Sequence, residues 1–315
     1  GIGPTDFQHL YVYDKNGKFI RQISGRGQGG EEFLEVRDID VIGDSIIKMG
    51  DVYVIRTFNL EGKQLSSKRI NGTTQEIVSV KGKTILFDGG SHSSSKATNL
   101  LFQFDEKDDL QAEFFEIPPL ANRITAFFVN PRALTRDEES VYFHFPYDNY
   151  IYRIDAETLD YSPLYKVDYG NKNFTWDMFD ENGDKKVWSK QADEATKTSM
   201  TEILSLNDYF LFASVDNEYR GYISLYSAKT GKVLNGNRIK DDMYFKGNII
   251  DLSPKPGATL NRHCNDGGDL IWPVQPSVLL KGVKAYYDVL TPERWNLFCK
   301  KYPRLIEVFE QLKED

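Results

Sequence analysis

Several short stretches of this chain carry side chains capable of chemistry. Arg26 sits in a glycine-rich run, and Arg37 and Asp38 stand at the start of an apolar strand. A guanidinium is a planar fork that grips carboxylates and sugar hydroxyls. The plainer reading of these residues is an ion pair between neighbouring elements. His92 lies in Gly89-Gly90-Ser91-His92-Ser93-Ser94-Ser95. Serine beside histidine in sequence is not a nucleophile–base pair, because a triad is assembled in space; the stretch reads as a loop. His144, Tyr147, Asp148 and Asn149 cluster in one inter-strand loop, and Asp216, Asn217, Glu218 and Tyr219 occupy the analogous loop of a later repeat. Aromatic groups beside amides suit carbohydrate or peptide contacts, while edge packing and turn formation explain the same residues without a ligand. Arg262 and His263 either reach a ligand or satisfy backbone at a tight turn.

Two familiar patterns fail on inspection. Gly25, Gly27 and Gly30 match G-x-G-x-x-G but lie between two strands and not before a helix, so the dinucleotide reading is lost. Asp180, Asn182 and Asp184 have the opening spacing of a calcium loop, yet Lys185 and Gln191 stand where Gly and Glu belong.

The elements that must position these residues are strands. The 315 residues include 18 Tyr and 20 Phe, which suit a pleated surface. One pattern recurs: an apolar–aromatic strand end, a polar turn, then a second strand. It runs Val12-Tyr13-Asp14-Lys15-Asn16-Gly17-Lys18-Phe19-Ile20 and returns as Thr57-Phe58-Asn59-Leu60-Glu61-Gly62-Lys63-Gln64-Leu65. Further copies surround Phe104, Ile154 and Tyr226. Glycine after Asn or Thr supplies the positive φ of a hairpin turn. A period of about 40–50 residues holding four strands is that of a propeller blade. The four-strand order fits 75–117, 128–167 and 200–239. A two-sheet sandwich is the structural alternative, but it needs no such regular spacing.

The tail changes character. Thr291 caps a helix with Pro292 at its first position. Trp295, Phe298, Cys299 and Tyr302 share one face, and Leu305, Ile306, Phe309 and Leu312 continue an apolar stripe beyond Pro303. The expected organisation is a propeller over 1–290 and a helical segment over 291–315 packed on it.

Bulk composition excludes some partners. The net charge of −8, with Lys and Arg scattered among acids, does not make the basic patch that nucleic acid needs. No run approaches 18 apolar residues, so no membrane span is expected. Cys264 and Cys299 match no zinc spacing and read as two small buried hydrophobes, or as a single bridge in an oxidising compartment.

The segment Tyr13 to Ile23, followed by Gly25-Arg26-Gly27-Gln28-Gly29-Gly30-Glu31-Glu32-Phe33, resembles an NHL- or TolB-like propeller repeat. More closely, it resembles a family of six-bladed β-propeller lipoproteins of anaerobic gut bacteria with a "GQGPGE" loop; here Gly30 replaces the proline and Glu31 the next glycine. Asn265-Asp266-Gly267-Gly268 with Trp272-Pro273, and Tyr302-Pro303-Arg304-Leu305-Ile306, are similar to the family's late signatures. The resemblance implies an all-β fold of six four-stranded antiparallel blades, export, and a lipid anchor upstream of residue 1. Five hairpin anchors plus the region 244–290 give six blades if the N-terminal half-blade stands alone, and five if residues 7–24 complete the last blade.

The function expected is non-enzymatic binding of a glycan, peptide or protein partner at the bacterial cell envelope, without a cofactor. The alternative is a calcium-dependent hydrolase or lyase with an axial metal; a third reading is a blade-edge assembly module. The longest insertions, 88–98, 118–127 and 169–198, share one face with the strand-two-to-three loops, and the ligand is expected there.

Overall fold

The computed structural model describes residues 9–14, 18–25, 32–43, 45–88, 98–117, 132–145, 148–175, 178, 198–216, 221–236, 263–264, 270–271, 283–284 and 287–314. A hairpin of β1 (His9–Tyr13) and β2 (Phe19–Gly25) leads into four antiparallel sheets of four strands, each a meander in chain order. The first holds β3 (Val36–Ile42), β4 (Ile46–Asp51), β5 (Val54–Asn59) and β6 (Gln64–Arg69). The second holds β7 (Glu76–Val80), β8 (Lys83–Phe87), β9 (Asn99–Phe104) and β10 (Leu110–Glu116). The third holds β11 (Leu134–Arg136), β12 (Val141–His144), β13 (Tyr150–Ile154) and β14 (Tyr161–Lys166). The fourth holds β15 (Thr198–Leu206), β16 (Tyr209–Asp216), β17 (Gly221–Ser227) and β18 (Val233–Gly236). A short pair, β19 (His263–Cys264) and β20 (Leu270–Ile271), follows.

The first strand of each sheet lies against the first strand of the next: β3 against β7, β7 against β11, β11 against β15, and β15 against β19. That is the blade arrangement of a propeller-like fold. Burial follows it. The second strands β4, β8 and β12 are almost entirely buried, whereas the fourth strands β6, β14 and β18 are largely exposed. A strand covered on both faces reads as a continuous apolar run, which is how Thr84-Ile85-Leu86-Phe87 and Val141-Tyr142-Phe143 appear.

The core is a series of layers between neighbouring blades. Leu10, Val12 and Ile23 of the hairpin meet Ile47, Met49 and Phe58 of the first blade. Ile55 meets Ile77, Leu86 and Phe102 of the second. Phe87 and Leu101 meet Phe143 and Ile154 of the third, and Tyr142 and Ile151 meet Met200 and Phe210 of the fourth.

The recurring hairpin turns do more than reverse the chain. Each of three reaches back onto the preceding sheet. Glu61 O accepts from Arg21 Nη1 at 3.1 Å, and Gly62 lies against Ile23. Asp108 enters the first blade, where Lys48, Thr57 and Ser66 all donate to its carboxylate. Ala156 O accepts from Gln103 Nε2 of the second blade. The turns are held from within by carboxylate or amide oxygens: Asp14 Oδ1 accepts Lys18 N, Asn59 Oδ1 accepts Lys63 N, and Asp105 Oδ1 accepts Lys107 N and Asp109 N.

Two helices close the described chain, α1 (Pro292–Lys301) and α2 (Pro303–Glu314). Thr291 Oγ1 accepts Arg294 N–H at 3.4 Å, with Pro292 beginning the helix. Trp295 stacks on Phe298, and Phe298 meets Tyr302, so the aromatic face read from the sequence forms. No helix among the described residues is long and apolar enough to cross a membrane.

Candidate functional site

The pairing register makes positions in different blades comparable. The turn-preceding residues Phe58, Phe104, Ile154 and Tyr226 lie opposite Ile47, Thr84, Val141 and Phe210. Those in turn lie opposite Val41, Ser79, Arg136 and Ser205 on the innermost strands. Three residues earlier stand Asp38, Glu76, Ala133 and Glu202. Acids thus occupy one equivalent position on three of the four innermost strands.

Two of these acids hold the next strand. Asp38 Oδ2 accepts Ile77 N–H at 3.0 Å. Glu76 accepts two, from Ala133 N at 2.8 Å and Leu134 N at 2.7 Å, one on each carboxyl oxygen. Where the column holds Ala133, which has no acceptor side chain, the main chain takes over: Ile203 N–H donates to Arg132 O at 2.9 Å. A second tier follows, with Ser79 N–H on Asp40 Oδ2 at 2.5 Å and Ser205 N–H on Thr135 Oγ1 at 2.9 Å. First strands of different sheets share no β-ladder, so their backbone donors need such partners. Arg136 reaches past β7 to Asp40 Oδ1 at 3.2 Å and Val41 O at 3.3 Å, tying the third blade to the first.

The electrostatics follow from burial. Glu76 is pushed up to about 8, first by burial and then by the charge of Asp38, against the two N–H groups and Arg132. Burial raises Asp38 to about 6, with Arg132 opposing most strongly; as a residue Asp38 keeps some exposed surface, but its carboxyl lies deep. Asp40 is also raised by burial, with Arg136 opposing.

The residues singled out in the sequence are placed as follows. Asp38 belongs to this seam. Arg37 points away from it and pairs with its neighbour Glu35 at 3.1 Å on a partly exposed surface. His144 ends β12 fully buried, with Nε2 facing Met200 O at 3.0 Å on the next blade. A nitrogen facing a carbonyl carries the hydrogen, so Nε2–H donates to Met200 O, and Nδ1 is buried without a hydrogen bond of normal geometry. Burial lowers His144 to about 4, so the ring is neutral at pH 7. Asp148 is half-buried and accepts from the Tyr152 hydroxyl. His263 opens β19. Arg26, His92, Tyr147, Asn217 and Arg262 lie outside the described residues.

Sequence reasoning missed Glu76, Arg132 and Glu202. The signal for the two acids was present as Asp38-Ile39, Glu76-Ile77 and Glu202-Ile203, an acid–apolar pair at the head of three blades, with Ala133-Leu134 in the same place on the other.

A calcium ion does not fit this seam. Asp38 and Glu76 already accept backbone N–H groups, Asp40 is paired with Arg136, and two guanidiniums supply positive charge where a cation would sit. Among the described residues no group of three or more His, Cys, Asp or Glu is arranged to hold a metal.

Comparison with known proteins agrees with this architecture. A model of a domain of unknown function, DUF4934, matches residues 2–315. The chain belongs to the DUF4934 family. A solved protein of Bacteroides fragilis described as exported is similar at 15% identity, with a TM-score of 0.58 over 92% of this chain and 80% of that one. BamB of Moraxella catarrhalis is similar at 13% identity and a TM-score of 0.42, over 76% of this chain and 64% of BamB. The Pan2 WD40 domain of Neurospora crassa is similar at 8% identity and a TM-score of 0.42, over 72% of this chain and 59% of that one. No curated protein matches the chain.

Proposed function

We propose that this DUF4934 chain is a non-enzymatic binding propeller that works outside the cytoplasm, at the bacterial cell envelope. Its ligand is a glycan, a peptide or a partner protein. The observation that carries this reading is topological. Among the connections within and between the four complete sheets, β8–β9, β10–β11 and β14–β15 are the long ones, and all three join strand ends on the same edge of the blades. Long connections on a rigid scaffold are where propellers and barrels recognise ligands. Asp38, Glu76 and Thr135 on the first strands are meanwhile committed to joining strands, so the binding surface is assigned to the long loops.

The finer features belong to the same proposal. Six blades are read by giving β1–β2 and β19–β20 a blade each, beside the four complete ones. The propeller is assigned 1–290 and the helical segment 291–315. Envelope location is supported by the exported Bacteroides relative in fold; a lipid anchor upstream of residue 1 and the absence of nucleic-acid partners follow the sequence reading.

The test is a thermal-shift screen against glycans, peptides and calcium with an EDTA control, in the full chain and in a variant with 179–197 replaced by a short Gly-Ser linker. The cut spares Phe174, which is buried in the core, and the Asn173–Thr198 bridge. A ligand that binds only the folded state raises the melting temperature. A glycan or peptide shift that EDTA does not reverse and the variant lacks supports the reading. A calcium shift reversed by EDTA overturns it in favour of the metal-dependent enzyme.

A further inference from the structure

Between the second and third blades the outer strands hold a cluster of aromatic rings. β10 supplies Phe114 and Phe115, while β13 and β14 supply Tyr152 and Tyr161. Phe115 lies 5.1 Å from Tyr152 and 5.2 Å from Tyr161 between ring centroids, and Phe114 lies 6.3 Å from Tyr161. Inward, Phe115 rests on the buried Phe143 at 4.8 Å, so the cluster is anchored in the core. Outward it is open: Phe114, Phe115 and Tyr152 are only partly buried, and Tyr161 is 46% exposed.

The first blade ends differently at the same place. Ile55 and Leu101 each stand three residues before the turn-preceding Phe58 and Phe104, and they pair with Lys68 and Phe114. Where the first blade puts the exposed Lys68 and Arg69 on its fourth strand, the second puts Phe114 and Phe115. Phe115 also has φ of 63°, a left-handed backbone that a bulky side chain rarely takes. Water favours the charged pair at a partly open rim. Rings held there, one of them on a costly backbone, present apolar area to a ligand.

Polar groups stand at one end of the cluster. The Tyr152 hydroxyl donates to Asp148 Oδ2, and Asp148 Oδ1 has no donor among the described residues. Tyr150 lies 6.2 Å from Tyr152, and Lys166 Nζ lies 5.9 Å from the centre of the Tyr150 ring. β10 ends, β13 begins and β14 ends on this side, which is the edge of the long connections. One carboxylate and one ammonium beside the rings select a neutral ligand, because an anion would meet Asp148 and a cation Lys166. A sugar ring carries C–H groups on its faces and hydroxyls at its rim, so it uses both the aromatic area and the two polar groups. A proline-rich peptide uses the rings alone.

We propose that this outer seam between the second and third blades is a carbohydrate site, in which Phe114 and Tyr161 stack on a neutral sugar and Asp148 and Lys166 take its hydroxyls. The inference rests on the reading of the chain as a binding propeller and gives that reading a ligand class and a place.

Calorimetric titration of the full chain with soluble hexaoses of glucose, xylose and mannose tests this, alongside Tyr161→Ala, Tyr161→Phe and the variant with 179–197 replaced. A hexaose is expected to bind the wild type and to lose about tenfold or more in affinity with Tyr161→Ala. With Tyr161→Phe, which keeps the ring, its affinity is expected to stay within about threefold. In the wild-type chain the ring resonances of Tyr152 and Tyr161 are expected to shift in NMR spectra as that sugar is added, a readout that needs no variant. A hexaose that binds Tyr161→Ala as tightly as the wild type and leaves both tyrosine rings unshifted, yet fails to bind the 179–197 variant, overturns this site and leaves the binding propeller standing. If none of the hexaoses binds the wild type the carbohydrate inference falls, and a peptide or protein ligand then keeps the wider reading.

Discussion

Asp108→Asn is expected to unfold a large share of the protein's stability, although it changes one atom. Asp108 is buried in the β9–β10 turn and sits against the preceding blade, where Lys48, Thr57 and Ser66 all donate to it. The Lys48 side chain is 5% exposed and that of Asp108 1%. Asparagine keeps an oxygen for one donor and tolerates the left-handed backbone that Asp108 adopts, with φ of 62°. It removes the charge that balances Lys48 and turns one acceptor oxygen into an N–H donor that faces other donors. Breaking a buried pair from one side costs about 3–5 kcal/mol, because the remaining charge is stranded. Against a domain stability of roughly 5–15 kcal/mol this is a large fraction. The measurement is urea unfolding of the wild type, Asp108→Asn, and Asp108→Asn combined with Lys48→Met. The double variant no longer strands an ammonium and is expected to recover roughly 1–2 kcal/mol of the loss. Asp109, one residue along, pairs with Lys68 on the surface, 53% and 48% exposed, and Asp109→Asn is expected to change nothing measurable. If Asp108→Asn costs under about 1 kcal/mol, or Lys48→Met makes it worse, the reasoning about this latch is wrong.

Other perturbations probe separate features. The buried His144 is held down to about 4 from 6.5, so the folded state resists its protonation; stability is expected to fall as pH drops through that interval, and His144→Gln should remove this part of the acid-side slope in urea midpoints. Gly62 has φ of +85° in the turn that docks on β2, and an added Cβ would lie 3.4 Å from Ile23 Cγ1; Gly62→Ala is expected to cost about 1–2 kcal/mol by urea unfolding. Thr291→Ala removes the cap of α1 and is expected to raise exchange of the Arg294 amide, with a local loss of about 1 kcal/mol.

What the sequence displayed and what it hid differ by range. The hairpins were legible because their determinants are local: Asn59 and Gly62 lie in one turn, and Asn59 Oδ1 holds Lys63 N four residues on. The capped, proline-initiated α1 was legible for the same reason. The seam was hidden because its bonds join residues 39, 57 and 58 positions apart, across connections of unequal length that blur the column. The docking of Asp108 was hidden too, since nothing in a Glu-Lys-Asp-Asp turn announces that one aspartate goes in and the next stays out. His144 drew attention as a polar residue near a loop, yet it closes the run Val141-Tyr142-Phe143, and that run already marked its strand as covered on both faces.

The direction in which the turns reach has a bearing on how the chain acquires its shape. Glu61 finds Arg21, Asp108 finds Lys48, and Ala156 finds Gln103; every latch lies on the N-terminal side of its key. As the chain emerges from a ribosome, each new blade therefore meets a receptor that has already been made. No docking site among these three has to wait, exposed, for a partner still to be synthesised. Growth by addition to a finished edge keeps unpaired apolar surface short-lived, which is the condition that spares repeat proteins from mispairing.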